Sequence, residues 1–285
     1  MDTFLSLIIP TRDRPLALAR LLEALRPQRA VQTELRLEII AVDDGSRPQA
    51  RRKVEELKES EGVGLKLIRN ETPLGPGGAR NRGVDAARGE LLAFLDDDMV
   101  PEAGFLADIV RIHLEHPDIL VLNGDLRRYR RNIYSDFWFH YYSARFNVSG
   151  PGPSQVPGVA SGNLSIKRSL LHSIFPLFDP GLVAWEDFDL ALRLRRAGIP
   201  IYKTDKVIAF HDVHSSLKDF LGHKAWYALG QEQVLKKYGP TVLAEEAPTT
   251  VVPRKLKFLP LYAAQRLARW RDRLVGLRAE GKGKH

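Results

Sequence analysis

The chain of 285 residues contains no cysteine, which excludes disulfides, thiol nucleophiles and cysteine-ligated zinc or iron–sulfur sites. It also lacks an uninterrupted run of about eighteen apolar residues, so no membrane-spanning helix is expected. Its first residues, Met-Asp-Thr, lead straight into an apolar strand without the basic and apolar regions of a signal peptide. These absences and a hydrophobic content of 44% indicate a soluble globular protein in the cytoplasm.

Two common phosphate-binding motifs are also missing. No Gly-x-Gly-x-x-Gly follows the first apolar run, and no Gly-Lys-Ser/Thr loop occurs, which argues against a dinucleotide fingerprint and an ATPase phosphate loop. The segment Gly75-Pro76-Gly77-Gly78 is rich in glycine. This segment is equally consistent with phosphate contact and with a flexible loop that enters a helix.

The net charge of +8 is unevenly distributed. Residues 251–285 contain ten basic and two acidic side chains, so the first 250 residues are electrically balanced. The basic character therefore describes a tail, and nucleic-acid binding by the main domain is not predicted.

Apolar strands alternate with amphipathic helices over the first hundred residues. The predicted strands are Phe4–Ile9, Leu35–Val42, Leu65–Arg69 and Leu91–Leu95, and the predicted helices are Pro15–Leu25, Pro48–Glu59 and Ala79–Ala87. This alternation predicts βαβ units and an α/β fold with a mostly parallel sheet flanked by helices. Further on, the pattern predicts helix Pro101–His116, strands Ile119–Asn123, Ser161–Lys167 and Ile201–Phe210, and a long loop, Asn147–Ala160, of the kind that often forms a functional lid.

Three consecutive carboxylates, Asp96, Asp97 and Asp98, follow the buried-type strand Leu91–Leu95. Asp96 and Asp98 lie two residues apart, so in an extended segment both point to one side and could chelate a divalent metal. Ligands of open α/β sheets bind at the carboxyl ends of the strands, where this triplet falls. The alternative is a solvated acidic turn.

Two later features carry groups suited to chemistry. Glu186, Asp187 and Asp189 occupy the first turn of a predicted helix, where the helix dipole favours carboxylates. One that also faced a cleft could act as a general base. His211 ends a predicted strand; it is either a surface histidine or the ligand that completes a metal site begun by two aspartates.

In this order, the segments resemble a family 2 glycosyltransferase of the GT-A fold across residues 4–215. The resemblance is carried by Leu5-Ser-Leu-Ile-Ile-Pro-Thr-Arg, Ile40-Ala-Val-Asp-Asp-Gly-Ser, Gly78-Ala-Arg-Asn-Arg-Gly, Phe94-Leu-Asp-Asp-Asp, Gly162-Asn-Leu-Ser-Ile and Trp185-Glu-Asp-Phe-Asp-Leu. It implies inverting, hexosyltransferase-type transfer from a nucleotide-diphosphate sugar to an acceptor hydroxyl. It also implies that Mn²⁺ or Mg²⁺ is held by Asp98, Asp96 and His211.

The resemblance also implies roles for individual residues. Asp44, with Asp43 beside it, would read the imide edge of the base. Asp187 is expected to be the catalytic base, with Glu186 as the alternative, and Trp185 would stack on a sugar or pack the helix against the sheet. The other residues expected at the donor are Pro10, Thr11 and Arg12 in the base pocket, Arg80 near the phosphates, Asp97 at ribose or sugar hydroxyls, and Gly162 and Asn163 at the donor sugar.

The expected organisation is a GT-A catalytic domain over residues 1–215, with a nucleotide-binding half (1–100) and an acceptor half (101–215), and a helical appendage over 216–285. Leu256, Trp270 and Leu277 belong to an amphipathic, arginine-rich pattern in this appendage. It would either contact an anionic membrane at the inner face or dock on the main domain. The aromatic and arginine-rich stretch Arg127–Tyr142 would either recognise the acceptor or pack against the C-terminal segment.

UDP is the donor nucleotide that the resemblance favours, with GDP and dTDP as alternatives, and the acceptor would be a saccharide or a lipid-linked saccharide of the cell surface. Two other functions stay open at this point: a nucleotidyltransferase and a non-catalytic nucleotide-sugar-binding module. The former would more often carry a glycine-rich loop after its first strand, and Pro10–Pro15 contains no glycine.

Overall fold

A computed structural model describes residues 4–31, 36–61, 65–146, 150, 152–213, 216–242, 258 and 260–261. The strands within these ranges are β1 Phe4–Thr11, β2 Arg36–Asp44, β3 Leu65–Asn70, β4 Leu91–Leu95, β5 Met99–Pro101, β6 Val121–Arg128, β7 Ser154–Gln155, β8 Asn163–Lys167 and β9 Tyr202–His211. The helices are α1 Pro15–Val31, α2 Pro48–Glu61, α3 Gly75–Ala86, α4 Phe105–Glu115, α5 Ile133–Phe146, α6 Glu186–Arg196 and α7 Leu217–Tyr238.

All the described strands belong to one sheet in the order β3-β2-β1-β4-β8-β6-β9-β5, with β7 paired to β9. The N-terminal part, β3-β2-β1-β4, is parallel throughout, as the βαβ alternation predicts. Strand β8 runs antiparallel to both β4 and β6, whereas β6 and β9 are parallel. The alternation does not reveal this inserted strand, because a short apolar run carries no information on its direction.

Hydrophobic side chains of alternate residues in β1 face opposite sides of the sheet. Leu5, Leu7 and Ile9 pack in a core with the apolar faces of α1 and α4, whereas Ile8 packs with residues of α3 and α6. Burial of each such side chain contributes roughly 1.5–3 kcal/mol to folding. Helices cover both faces of the sheet, and the site residues predicted on β1, β2 and β9 lie at the ends of those strands.

Helix α1 extends beyond its predicted end at Leu25. Pro27 lies inside the helix, although proline lacks the N–H that a helix interior uses. The amide of the buried Gln28 donates to the carbonyl of Glu102 over 2.9 Å and accepts from the N–H of Leu106 over 3.2 Å. These tertiary hydrogen bonds hold the last turns of the helix against the neighbouring chain segment.

Two helix starts differ from the prediction. Helix α4 begins at Phe105 and not at Pro101, because Met99–Pro101 pairs with β9 as strand β5. Proline is tolerated on such an edge strand because no ladder hydrogen bond is lost. Helix α3 begins at Gly75, so the glycine-rich segment is the first turn of the helix and not a loop before it.

The predicted loop Asn147–Ala160 contains the short strand β7, which pairs with β9; residues 147–149 and 151 lie outside the described residues. The predicted amphipathic tail also lies outside them, except for Phe258 and residues 260–261. Phe258 and Leu261 are buried with Phe137 of α5 and Phe220 of α7. Phe137 of the aromatic stretch therefore packs against the C-terminal segment. Among the helices described, none combines the length and the hydrophobicity needed to span a membrane.

Candidate active site

A single cavity of about 1250 Å³ opens at the carboxyl ends of β1, β2 and β4 and extends to α6 and α7. Most of the residues predicted for the site line this cavity: Pro10, Thr11, Arg12, Asp44, Arg80, Asp96, Asp97, Asp98, Gly162, Trp185, Glu186, Asp187 and His211. Asp43 and Asn163 do not line it. The fold thus brings together residues that are up to two hundred positions apart in the chain.

Asp98 lies beside His211 at the tip of β9. The two residues approach to 3.5 Å between Asp98 Oδ1 and His211 Nε2, and Asp98 Oδ1 is buried without a hydrogen-bond partner in the described structure. On the other side, Arg14 Nη1 lies 2.8 Å from Asp98 Oδ2. Burial alone would raise the pKa of Asp98, but His211 and Arg14 outweigh it and hold the pKa below its ordinary value.

Asp97 is the most deeply enclosed carboxylate of the triplet. Its Oδ2 accepts a hydrogen bond from the hydroxyl of Thr11 over 2.7 Å, and its Oδ1 lies 3.2 Å from Arg14 Nη1. Burial and the adjacent charge of Asp98 raise the pKa of Asp97 to about 7, although Arg14 and Thr11 oppose this effect. Its carboxylate was expected at the ribose or sugar hydroxyls, and in this structure it contacts Thr11 and Arg14.

Asp96 contacts a different cation. Arg80 is only 2% exposed and bridges two carboxylates, with Nη2 at 2.5 Å from Asp96 Oδ1 and Nη1 at 2.7 Å from Glu186 Oε1. The hydroxyl of Ser161 also lies 3.4 Å from Glu186 Oε1. Both terminal nitrogens of Arg80 are therefore engaged by protein carboxylates, whereas the sequence placed this side chain near the donor phosphates.

Asp44 and Asp43 end strand β2, and because side chains alternate along a strand they point to opposite sides. Asp44 lines the cavity and accepts hydrogen bonds from the backbone N–H of Leu74 and of Gly75 at the start of α3, over 2.8 and 2.9 Å. Asp43 instead lies 2.5 Å from Arg69 Nη1 and accepts from the N–H of Ser46. The structure therefore distinguishes two aspartates that the sequence could not separate.

Gly162 and Asn163 differ in the same way. A Cβ atom at Gly162 would approach Asp96 Oδ2 to 2.7 Å, so a larger residue would require that carboxylate to shift. The Asn163 amide donates to the backbone carbonyls of Asp125 and Val207, both over 3.1 Å. Asn163 thus ties β8 to β6 and β9 and is turned away from the cavity.

The start of α6 carries the two candidate bases. Glu186 is buried and bound to Arg80, whereas Asp187 is half-buried and lines the cavity. Trp185, which precedes them, also lines the cavity and has a left-handed backbone with φ of 66°. Its ring packs against that of Phe188, with centroids 5.0 Å apart.

Sequence reasoning missed several cavity residues. Arg14 was not singled out, although its position four residues after Pro10 places it at the same strand end. The residues of α7 at the cavity, among them His223, Trp226 and Tyr227, were also missed. Their only sequence signal is aromatic residues on a helix that follows His211.

Two residues of the cavity are suited to hold a divalent cation. No group of three or more histidine, aspartate or glutamate side chains in the described parts of the chain is already arranged as a metal site. Asp98 and His211 nevertheless fit a divalent cation. The buried Oδ1 of Asp98 has no hydrogen-bond partner in the described structure and lies 3.5 Å from the imidazole Nε2 of His211. A carboxylate and an imidazole, completed by oxygens of a bound diphosphate, suit such an ion.

Known proteins of similar sequence are glycosyltransferases. The chain is 25% identical over 233 residues to the pre-mycofactocin glycosyltransferase of Mycobacterium tuberculosis, which covers 78% of this chain and 45% of that protein. It is 31% identical over 107 residues to the GalNAc(5)-diNAcBac-PP-undecaprenol beta-1,3-glucosyltransferase of Campylobacter jejuni, which covers 38% of this chain and 33% of that protein. The chain thus spans less than half the length of these curated relatives.

Solved structures share the fold. A mannosyltransferase from Pyrobaculum calidifontis, in complex with GDP-Man and Mn²⁺, superposes with a TM-score of 0.66 at 19% identity, covering 100% of this chain and 77% of that one. GalNAc-T7 with UDP, GalNAc and Mn²⁺ superposes with a TM-score of 0.59 at 17% identity, and the superposition covers 93% of this chain and 54% of that one. Both likenesses confirm the predicted GT-A fold.

The sequence model that describes glycosyl transferase family 2 matches residues 6–175. This match includes the strand ends with Asp44 and Asp96–Asp98 and ends before α6. Because it covers more than half of the chain, the protein belongs to glycosyl transferase family 2.

Proposed function

We propose that this protein is a metal-dependent, inverting glycosyltransferase that moves a sugar from a nucleotide-diphosphate sugar to an acceptor hydroxyl. The single observation that supports this most is one cavity whose lining includes Asp98, His211 and Asp187. Such an enzyme needs a place for a charged leaving group and a base within reach of the same sugar. Family membership favours this activity over a nucleotidyltransferase or a non-catalytic binding module.

The nucleoside of the donor would lie at the ends of β1 and β2, against Pro10, Thr11, Arg12 and Asp44. Asp44 is fixed there by its hydrogen bonds to the start of α3, so it can present a preorganised acceptor to the imide N–H of a pyrimidine. UDP is the proposed nucleotide, and the solved relatives hold UDP in one case and GDP-Man in the other. GDP and dTDP are therefore included in the test.

The diphosphate would lie beside Asp98 and His211, which would hold Mn²⁺ or Mg²⁺. When bound, the ion would stabilise the negative charge that the departing nucleoside diphosphate acquires. Asp96 is proposed as a further member of this site, held in place by Arg80. Arg14 lies 2.8 Å from Asp98, and as an exposed cation at the mouth it can also neutralise phosphate charge.

Asp187 is the proposed base. It would take the proton from the acceptor hydroxyl as that oxygen attacks the anomeric carbon, while the bond from this carbon to the diphosphate oxygen breaks. Attack from the face opposite the leaving group inverts the anomeric configuration. Glu186 is less suited to this role because Arg80 and Ser161 already bind its carboxylate.

The first experiment is a screen of UDP-, GDP- and dTDP-sugars with Mn²⁺, Mg²⁺ or EDTA, with and without saccharide acceptors, in which the release of nucleoside diphosphate is measured. We expect metal-dependent release from one nucleotide class, and Asp98→Ala should abolish both this release and metal-dependent nucleotide binding. Pyrophosphate as the product would indicate a nucleotidyltransferase. Nucleotide-sugar binding without any turnover would indicate a binding module.

Contact with a membrane surface is proposed for the basic tail, in line with a lipid-linked acceptor and a role in cell-surface polysaccharide or glycolipid synthesis at the inner face of the membrane. Residues 262–285, which include Trp270, contain seven basic and two acidic side chains and so carry +5 of the net charge of +8. Phe258 and Leu261 pack on α5 and α7, so a truncation should end after residue 261 to preserve that contact. Sedimentation with anionic and with neutral liposomes measures how much of the intact chain and of the truncated chain binds the membrane. Equal partitioning of the intact and the truncated chain would contradict membrane contact by the tail.

A further inference from the structure

Helix α7 is fixed along its C-terminal half to the segment that carries the proposed base. Gln233 accepts a hydrogen bond from the N–H of Val183 over 2.9 Å, and Lys237 lies 2.5 Å from Asp189 of α6. The hydroxyl of Tyr238 donates to the same carboxylate oxygen of Asp189. These contacts leave little freedom for α7 to move relative to α6.

The backbone of α7 approaches this segment closely at Gly230. A Cβ atom there would lie 2.6 Å from the carbonyl oxygen of Ala184, so glycine is needed at this crossing. Ala184 is the residue before Trp185 and two before the start of α6. The crossing therefore sets the distance between α7 and the proposed base.

The N-terminal half of α7 extends from this crossing over the cavity. Trp226 and Tyr227 line the cavity and are half-buried. Their ring centroids are 5.6 Å apart, and Tyr227 approaches Trp185 with centroids 6.3 Å apart. We name these three residues, Trp185, Trp226 and Tyr227, the aromatic wall.

The backbone of Trp185 is a second, independent sign of function. With φ of 66° and ψ of 18°, it adopts the left-handed conformation, which is a genuine outlier for a bulky side chain. Such strain persists where the surrounding structure enforces it, and it clusters at active sites and ligand clamps. Here the residue with the left-handed backbone lines the cavity two positions before Asp187.

We infer that the aromatic wall binds a sugar ring of the acceptor and presents its hydroxyl to Asp187. This inference rests on the proposed function, and it names a sugar ring of the acceptor as the group that binds at the aromatic wall. Aromatic faces suit the C–H faces of a pyranose, and half-buried rings give contact area at a small cost in side-chain entropy. The donor end is distinct, because Pro10, Thr11 and Asp44 lie on the strand ends and the aromatic wall lies on α7 and before α6.

Binding of free sugars can be tested without knowledge of the natural acceptor. Saturation-transfer NMR on the full chain, with nucleoside diphosphate and diamagnetic Mg²⁺ present, would use a panel of methyl hexopyranosides, methyl N-acetylhexosaminides and octyl glucoside. We expect saturation transfer to the ring protons of at least one methyl glycoside. Transfer to none of them, or only to the alkyl chain of octyl glucoside, would overturn the inference in favour of a surface that binds no sugar or binds lipid.

Variants then assign the contact to the aromatic wall. Trp226→Ala and Tyr227→Ala should each weaken glycoside binding about tenfold, as expected for the loss of one stacked aromatic contact. The matched control is Leu229→Ala, since Leu229 is on the same helix, 52% exposed and outside the cavity. Glycoside binding that is unchanged in both aromatic variants would refute the inference.

The affinity for nucleotide is a separate measurement on the same protein variants. Affinity for nucleoside diphosphate with Mn²⁺ should be the same in wild type, Trp226→Ala and Leu229→Ala, which would show that the variants are folded. A wild-type protein that binds glycosides but no nucleotide would contradict the proposed function and not the aromatic wall. Conversely, a wild-type protein that binds nucleotide, together with aromatic variants whose affinity for glycosides is unchanged, would contradict the aromatic wall and not the proposed function.

Discussion

Arg80 and Glu186 form a buried ion pair across 106 positions of the chain, with 2.7 Å between Nη1 and Oε1. The same guanidinium binds Asp96 at the end of β4 through its other terminal nitrogen. One side chain from α3 therefore joins the acidic strand end to the helix that carries the proposed base. We conclude that Arg80 positions the two halves of the site relative to each other.

Replacement of Arg80 by alanine should destabilise the protein by ~3–5 kcal/mol, because the buried Glu186 and the half-buried Asp96 lose their shared cation. Urea unfolding measures this difference. Arg51→Ala is the control, because its pair with Glu55 is exposed and such pairs contribute little to stability. A loss of stability in Arg80→Ala no larger than that in the control would contradict the buried bridge.

Asp187→Asn should lower the transfer rate by about 10²–10⁴-fold, the contribution typical of a general base, and leave nucleotide affinity unchanged. Glu186→Gln should instead act through Arg80, with loss of stability accompanying loss of rate. Steady-state kinetics and urea unfolding on both variants separate the two roles. Full turnover by Asp187→Asn would show that the base is another group.

Arg14→Met should increase the affinity for Mn²⁺ in the absence of nucleotide. The guanidinium lies within 3.2 Å of both Asp97 and Asp98, and it competes with an incoming cation for the same carboxylates. Because 57% of the Arg14 side chain is exposed, solvent screens the effect, and we expect ~1 kcal/mol, about fivefold in the dissociation constant.

The free Mn²⁺ signal in electron paramagnetic resonance measures this affinity directly and requires no activity. Arg51→Met serves as the control for a general change in surface charge. A dissociation constant that stays the same or increases in Arg14→Met would show that the arginine does not compete with the metal.

Stability should depend on pH through Asp97. Its pKa is about 7 in the folded protein and about 3.9 in an unfolded chain, so the folded state holds more protons between these values. The contribution of Asp97 to stability is therefore complete below pH ~4 and falls as the pH rises to ~7. Asp98 has a lowered pKa and acts in the opposite direction, but only at acidic pH below this window.

Thermal or urea unfolding without metal at pH 5 and pH 8 tests this dependence. Between pH 5 and pH 8, Asp97→Asn should lose less stability than the wild type. The two losses should differ by at least ~1.4 kcal/mol, which corresponds to one unit of pKa difference. An identical pH dependence of the two proteins would contradict a raised pKa at Asp97.

The sequence alone identified the elements in which local pattern is decisive. Short apolar runs indicated β1, β2 and β4, since a strand covered on both faces is apolar throughout. Leucines at helical spacing indicated the buried face of α1, because side-chain direction repeats with the period of the helix. The same logic placed Asp44 and Asp98 at one edge of the sheet. The family resemblance then assigned them roles, which the cavity they share supports but does not by itself establish.

The tertiary structure decided what depends on distant partners. Asp43 points to Arg69, Asn163 bonds to neighbouring strands, and Arg80 is bound by carboxylates on either side. A local pattern shows where a polar side chain lies along its own element, but the residue that it meets is set by how strands and helices from distant parts of the chain pack together. For the same reason, only the packed structure reveals the aromatic wall on α7, because its relation to Asp187 arises at one close helix crossing.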